Sequence, residues 1–156
     1  MNNFQRLKQL TDSLAVAEES QRLANTRLQT ALAAAGAGVW DWEIESNTLR
    51  WDDRMVELFG YHPKRFKRDQ AGWNLCTYHH FIDRVHPEDR EQVQSQVDAC
   101  LKDGIPYRTS YRVIHPDGEI VKIIHAAGDV HVDKDGTLER LVGVCFDIAH
   151  LKHCDC

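Results

Sequence analysis

The sequence predicts an α+β fold: a five-stranded antiparallel sheet with helices on one face, preceded by a long N-terminal helix. Three observations predict it. Residues 4 to 35 hold no Pro or Gly and are rich in Leu, Ala, Gln, Arg and Glu, all good helix formers. In GVWDWEIESNTLRW, Gly38 to Trp51, the hydrophobic period changes to two, the period of a strand. Further on, two Asp-Gly turns, in HPDGE and DKDGT, separate three long β runs. Two strands, several helices and then three strands cannot build a parallel β-α-β sheet, which leaves an antiparallel sheet with helices on one face as the simplest packing.

The N-terminal helix carries a heptad seam. With Leu7 at an a position, Leu10, Leu14, Ala17, Gln21, Ala24, Leu28, Ala31 and Ala35 fill the a and d positions of a coiled coil. Leu7, Leu10, Leu14 and Leu28 are therefore the expected dimer contacts, with the Ala-Gln middle adding little area. The same stripe also suits a helix laid over its own domain. Gly36 and Gly38 end the helix. The expected organisation is a helix over 1–36, a domain over 37–149, and the start of an output linker or tail over 150–156.

In the first strand Trp40, Trp42 and Ile44 share one face and Val39, Asp41 and Glu43 the other, so its acids look outward. Glu45 to Thr48 turn the chain, and Leu49 and Trp51 return on a second strand. Asp52 or Asp53 then caps a short helix whose Met55, Val56, Leu58 and Phe59 point inward, with Gly60 at its end. Residues 61 to 82, with basic Lys64 to Arg68 and the Tyr78-His79-His80 cluster, are expected as short helical turns and loops. HPEDREQVQSQVDACLKDG is a marked helix, with Pro87 first, Glu88 and Asp89 in the first turn, Gly104 beyond the end, and Val93, Val97, Cys100 and Leu101 as its buried stripe. His86 sits just before it and is expected to bond exposed backbone groups there. Strands follow at Tyr107 to Ile114, Ile120 to Val132 and Leu138 to Ile148, as a meander.

Composition narrows the function classes. A formal charge of -5 with interspersed signs offers no basic stripe to a nucleic-acid backbone. MNNFQRLKQL lacks the apolar core of a signal peptide, and ALAAAGAGVW is far short of the ~20 residues of a spanning helix, so a cytoplasmic chain without membrane insertion is expected. Five cysteines, an odd number without paired spacing, point to free thiols in a reducing compartment. There is no serine elbow, phosphate loop or HExxH, and the paired carboxylates Asp52-Asp53 and Glu18-Glu19 point apart as consecutive residues, so no catalysis is expected. His150, His153, Cys154 and Cys156 are metal donors in type but match no strong finger spacing, and no metal site is expected.

Five segments, in order, carry a family resemblance: GVWDWEI, WDDRMVELFGY, VHPEDRE, YRVIHPDGEIVKI and GVCFDIAHLK. Together they resemble a PAS domain of the branch found in bacterial sensor proteins, over about Gly38 to Lys152. The resemblance implies a sensory or protein-interaction module of two-component or cyclic-di-GMP signalling, non-catalytic, placed before an effector such as a histidine kinase and flanked by dimerising helices. In such a fold the sheet and helices enclose a cavity filled either by a ligand or by side chains. Trp40, Trp42 and Trp51, joined by some of Tyr111, Ile123 and His125, are the expected lining. Haem held in the family's usual way takes a histidine from the long helix, and Pro87 to Lys102 has none. A LOV-type flavin needs a reactive cysteine in an Asn-Cys-Arg-Phe-Leu-Gln run and a late glutamine; Cys76 sits instead in WNLCTYHH and the last strand has no Gln. Both cofactor modes are disfavoured, which leaves the cofactor open to a non-covalent flavin or to another haem mode, for instance through His79 or His80, though both are expected first as exposed loop residues. Asp147-Ile148-Ala149 matches the family's Asp-Ile-Thr end, with Ala149 in place of the hydroxyl. Asp147 and Ile148 are thus the expected signal relay, with Asp147 pairing a basic group where His150, Leu151 and Lys152 begin an output helix. The resulting expectation is a sensory homodimer that binds a small ligand or partner and passes the event along helices to an effector. The alternative is a purely structural dimerisation or interaction module with a filled core.

Overall fold

The computed structural model describes residues 1–117 and 119–149, the Val121 side chain excepted. Its contacts divide the chain into two units, one of Met1–Ala34 and one that begins at Ala35. The first is a single helix, α1 (Asn3–Ala34). Asn2 and Gln5 close its start reciprocally: the Gln5 N–H donates to Asn2 Oδ1 at 2.8 Å and the Asn2 N–H to Gln5 Oε1 at 3.0 Å. That exchange satisfies two backbone donors that a helix start otherwise leaves open. Glu19 and Arg22 pair on its surface, and Leu7, Leu10, Leu14 and Leu28 stand 59% to 64% exposed.

The second unit is an antiparallel sheet with helices on one face. Its elements are β1 (Gly38–Glu43), β2 (Thr48–Trp51), α2 (Asp53–Leu58), β3 (Asn74–Cys76), α3 (Tyr78–Ile82), a 3-10 turn (Pro87–Asp89), α4 (Arg90–Asp103), β4 (Tyr107–Ile114), β5 (Ile120–Val132) and β6 (Leu138–Asp147). The strand order is β3-β2-β1-β6-β5-β4, six strands where the sequence predicts five. The extra one, β3, lies in the stretch expected as turns and loops. It is three residues long, too short to show a period, and a side chain helps hold it beside β2. The buried Asn74 amide donates at 3.0 Å both to the Trp51 carbonyl and to Asp53 Oδ1.

Local chemistry sets the remaining boundaries. Asp52 caps α2, accepting from the Met55 N–H at 2.9 Å, and Met55, Val56, Leu58 and Phe59 are buried as expected. Gly104 ends α4 with φ 65, in the left-handed region that glycine adopts without strain. Asp133 closes the second Asp-Gly turn by accepting the Asp135 and Thr137 N–H groups, each at 2.9 Å. Gly118, in the first such turn, lies outside the described residues, as do the expected output-helix start at His150 to Lys152 and the donors His153, Cys154 and Cys156. On the sheet's outer face the acids of β1 are paired rather than solvated. Arg140 reaches Asp41 at 3.1 Å, and Arg50 reaches Glu43 at 3.1 Å and Asp69 at 3.2 Å. Burial raises the Asp41 carboxyl above its ordinary value against the pull of Arg140.

The start of the long helix is clamped to β4. His86 accepts the Glu88 N–H on its Nδ1 at 3.1 Å, and Asp89 takes three bonds from Arg112: its backbone N–H and Nε at 2.9 Å, and Nη2 at 2.8 Å. The Arg112 side chain holds the Asp89 carboxyl below its ordinary value of 3.8, with desolvation opposing. A depressed carboxylate adds stability that is complete above its unfolded pKa and is lost as pH falls through the lower folded one. Asp89→Asn is therefore expected to lower the urea midpoint at neutral pH, and its gap to wild type should close as the pH drops below about 3.8. A gap that stays constant with pH would assign the loss to shape rather than charge.

Candidate functional site

The inner face of the sheet and the helices meet over an almost wholly apolar void of about 40 Å³. Alternation along the strands supplies its walls. Trp40 and Trp42 come from β1, Leu49 and Trp51 from β2, Tyr107 and Tyr111 from β4, Ala126 from β5, and Leu141 and Cys145 from β6; Met55, Tyr78, Phe81 and Val97 close it from the helices. The rings pack edge to face or tilted. Trp40 meets Tyr107 at 5.8 Å, Trp51 meets Phe59 at 4.9 Å, and Phe81 meets Tyr111 at 5.7 Å between centroids. Such pairs stabilise by about 0.5–1.5 kcal/mol beyond their burial.

Trp40 lies over two glycines that are register partners, Gly128 and Gly143. A Cβ at Gly143 would sit 2.4 Å from Trp40 Cζ2 and 2.1 Å from the Ala127 carbonyl oxygen; one at Gly128 would sit 2.6 Å from Trp40 Cη2. The bare backbone at these two positions is what lets the indole come this close to the sheet.

Few polar atoms face the void. The Tyr111 hydroxyl and Cys145 Sγ are 3.7 Å apart, and burial pushes the Cys145 thiol up to about 12. The Tyr78 hydroxyl, pushed by burial up to about 12, donates to Gln94 Oε1 at 2.6 Å. Tyr107 is 4% exposed, and its hydroxyl is buried without a hydrogen-bond partner among the described residues. Beyond Trp42 and Tyr78 an outer groove of about 320 Å³ continues, lined by Ile44, Asn47, His79, Gln94 and Leu101 with those two rings and Val97.

Of the lining residues expected from the sequence, Trp40, Trp42, Trp51 and Tyr111 come together at the void. Ile123 and His125 do not. Ile123 is 50% exposed, and His125 is exposed, with Nδ1 2.9 Å from Ser110 Oγ on the neighbouring strand. Tyr111 pairs in register with Ile124, so Ile124 and Ala126 share its buried face while Ile123 and His125 fall on the other side. The reason for the error is visible in IVKIIH, whose apolar residues occupy both parities and leave no alternation to follow. His79 and His80 sit on α3 rather than in a loop. His80 is half-buried, its ring 4.9 Å from that of Phe66, and desolvation lowers its pKa. Asp147 ends β6 opposite Ile124 and accepts the Ala149 N–H at 3.0 Å. Met55, Tyr78, Phe81, Tyr107, Leu141 and Cys145 were not anticipated as lining; Tyr107 and Tyr111, four apart on one strand, share a face and carried the readable signal.

Comparison with known proteins adds to this geometry. The family described as PAS fold matches residues 48–145. The chain is 31% identical over 126 residues to the probable diguanylate cyclase DgcE of Escherichia coli, an alignment covering 81% of this chain and 10% of that protein. It is 30% identical over 113 residues to the sensor protein FixL of Bradyrhizobium diazoefficiens, covering 72% of this chain and 20% of that one. The chain thus spans about a tenth and a fifth of these relatives' lengths. Among solved structures, a sensory box histidine kinase/response regulator from Burkholderia thailandensis superposes with TM-score 0.65 at 25% identity, covering 81% of this chain and 88% of that one. The N-terminal domain of a diguanylate cyclase with PAS/PAC sensor from Marinobacter aquaeolei gives 0.59 at 26% identity, covering 75% and 98%.

Proposed function

We propose, from the premise that this chain belongs to the PAS fold family, that it is the sensory module of a bacterial signal-transduction protein of the histidine-kinase or diguanylate-cyclase kind. Its part is regulatory rather than catalytic. It binds a small ligand or partner at the aromatic void and, as a homodimer, relays the event through α1 and through an output helix following β6. The observation that carries this reading is the register of the edges of the signal path. Gly38, where the chain enters the sheet, lies opposite Cys145, two residues before Asp147, where β6 ends. Both strands also present walls to the void, Trp40 and Trp42 on one, Leu141 and Cys145 on the other. A change at the void therefore acts on the two strands that hold the incoming and outgoing chain.

A second reading, a purely structural dimerisation or interaction module, draws on the size of the void. Its volume of about 40 Å³ is far below the ~300 Å³ at which ligand pockets begin. The Asp147→Ala variant, with the native effector attached, distinguishes relay from packing. The relay reading expects regulation to fall at least about fivefold, the scale of a typical coupling energy, while binding at the void stays unchanged. Unchanged regulation would remove Asp147 from the relay. A loss of binding equal to the loss of regulation would place it in the pocket instead.

A further inference from the structure

Resting on the reading of the void as a ligand site, we infer that it is the inner half of a two-compartment site, with Trp42 and Tyr78 as the door between void and outer groove. The ligand class is a single aromatic ring carrying one hydrogen-bond-accepting oxygen. Three observations carry the inference. Trp42 and Tyr78 line both compartments, and their rings are tilted 33° to one another at 5.5 Å, so the two side chains form the partition. Each leaf is held by one hydrogen bond to an outer-groove residue: Trp42 Nε1 donates to Asn47 Oδ1 at 2.9 Å, and the Tyr78 hydroxyl to Gln94 Oε1 at 2.6 Å. Trp42 and Tyr78 are only half-buried, whereas Trp51, deeper in the wall, is 1% exposed. The door is therefore a part of the wall that reaches the surface.

The polar point of the site is Tyr107, one of the residues lining the void. Its hydroxyl is buried and has no protein partner among the described residues, and a buried donor without an acceptor is unfavourable. The other polar groups of the lining already have partners, the Tyr111 hydroxyl with Cys145 Sγ and the Tyr78 hydroxyl with Gln94 Oε1. A ring with one accepting oxygen satisfies both the Tyr107 hydroxyl and the apolar walls. By itself the void of about 40 Å³ does not admit a ring, so the ring takes the space that Trp42 gives up on swinging into the groove.

Phenol and toluene, alike in ring and heavy-atom count, are the probes. Both are titrated calorimetrically into the whole chain, wild type and Tyr107→Phe. The expected result is that both bind, and that the ratio of phenol to toluene affinity falls about tenfold in Tyr107→Phe, the worth of one hydrogen bond to an otherwise unpaired group. Stopped-flow tryptophan fluorescence on Gln94→Leu, which removes the acceptor holding Tyr78, should show phenol associating several-fold faster. An unchanged affinity ratio overturns the assignment of Tyr107, and an unchanged association rate overturns the door. Binding of neither probe to the folded protein overturns the site as a whole. None of these outcomes alters the Asp147→Ala regulation test, so a failed ligand site and a failed relay are told apart.

Discussion

Gly143→Ala lowers the stability of the sheet unit by roughly 3 kcal/mol or more, the upper range of overpacking costs. The added methyl has nowhere to go: 2.1 Å from the Ala127 carbonyl oxygen on one side and 2.4 Å from the Trp40 ring on the other. The backbone atom cannot yield without parting β5 from β6, and the ring cannot yield without lifting off the sheet and into the void. Urea unfolding followed by tryptophan fluorescence measures the loss, and a shifted native emission spectrum reports the displaced indole. Gly136→Ala serves as the control. It has nothing within 4 Å and φ +79, so it incurs only the left-handed strain of about 1–2 kcal/mol. Equal losses in the two variants would mean that Trp40 does not rest on Gly143.

Leu10→Asp with Leu14→Asp converts the proposed homodimer to monomer while the sheet stays folded. Each a/d leucine buried against a second chain stabilises by roughly 1.5–3 kcal/mol before ordering costs, so removing two of the four leaves Leu7, Leu28 and an Ala-Gln middle to hold the pair. The introduced carboxylates would also have to be buried in the seam, an unfavourable desolvation. A change at one void reaches the partner only if the helices share an axis, so regulation in the full protein should be lost along with the dimer. Light scattering gives the mass and circular dichroism confirms folding. A dimer of unchanged affinity would move the contact from the α1 leucines to another surface.

What the sequence made legible follows from how each signal arises. The α1 span, the Trp40-Trp42 face, the Asp52 cap and the three late strands rest on local periodicity and on turn or cap chemistry, which act within a few residues. The third strand was hidden because its placement depends on Asn74 reaching Trp51 and Asp53 more than twenty positions away. The same holds for the pocket. Trp40, Trp42, Trp51 and Tyr111 stand in alternating runs, whereas the side of Ile123 and His125 is settled only by cross-strand register. The role of Gly128 and Gly143 as the floor beneath Trp40 is a contact between three strands and has no local signature beyond a glycine where a strand would favour a larger residue.

The pairing of Gly38 with Cys145 also bears on how such a unit can be built into genes. Neighbouring strands of a sheet lie about 4.8 Å apart, so the chain leaves the sheet almost where it came in. A unit with that property can be spliced into a continuous helix, duplicated in tandem or removed, with little redirection of the polypeptide on either side. Its neighbours need only supply one helix ending and one beginning at nearly the same point. The adjacency of the first and last strands thus makes the fold a portable insert, one that different outputs can acquire without redesign of their own architecture.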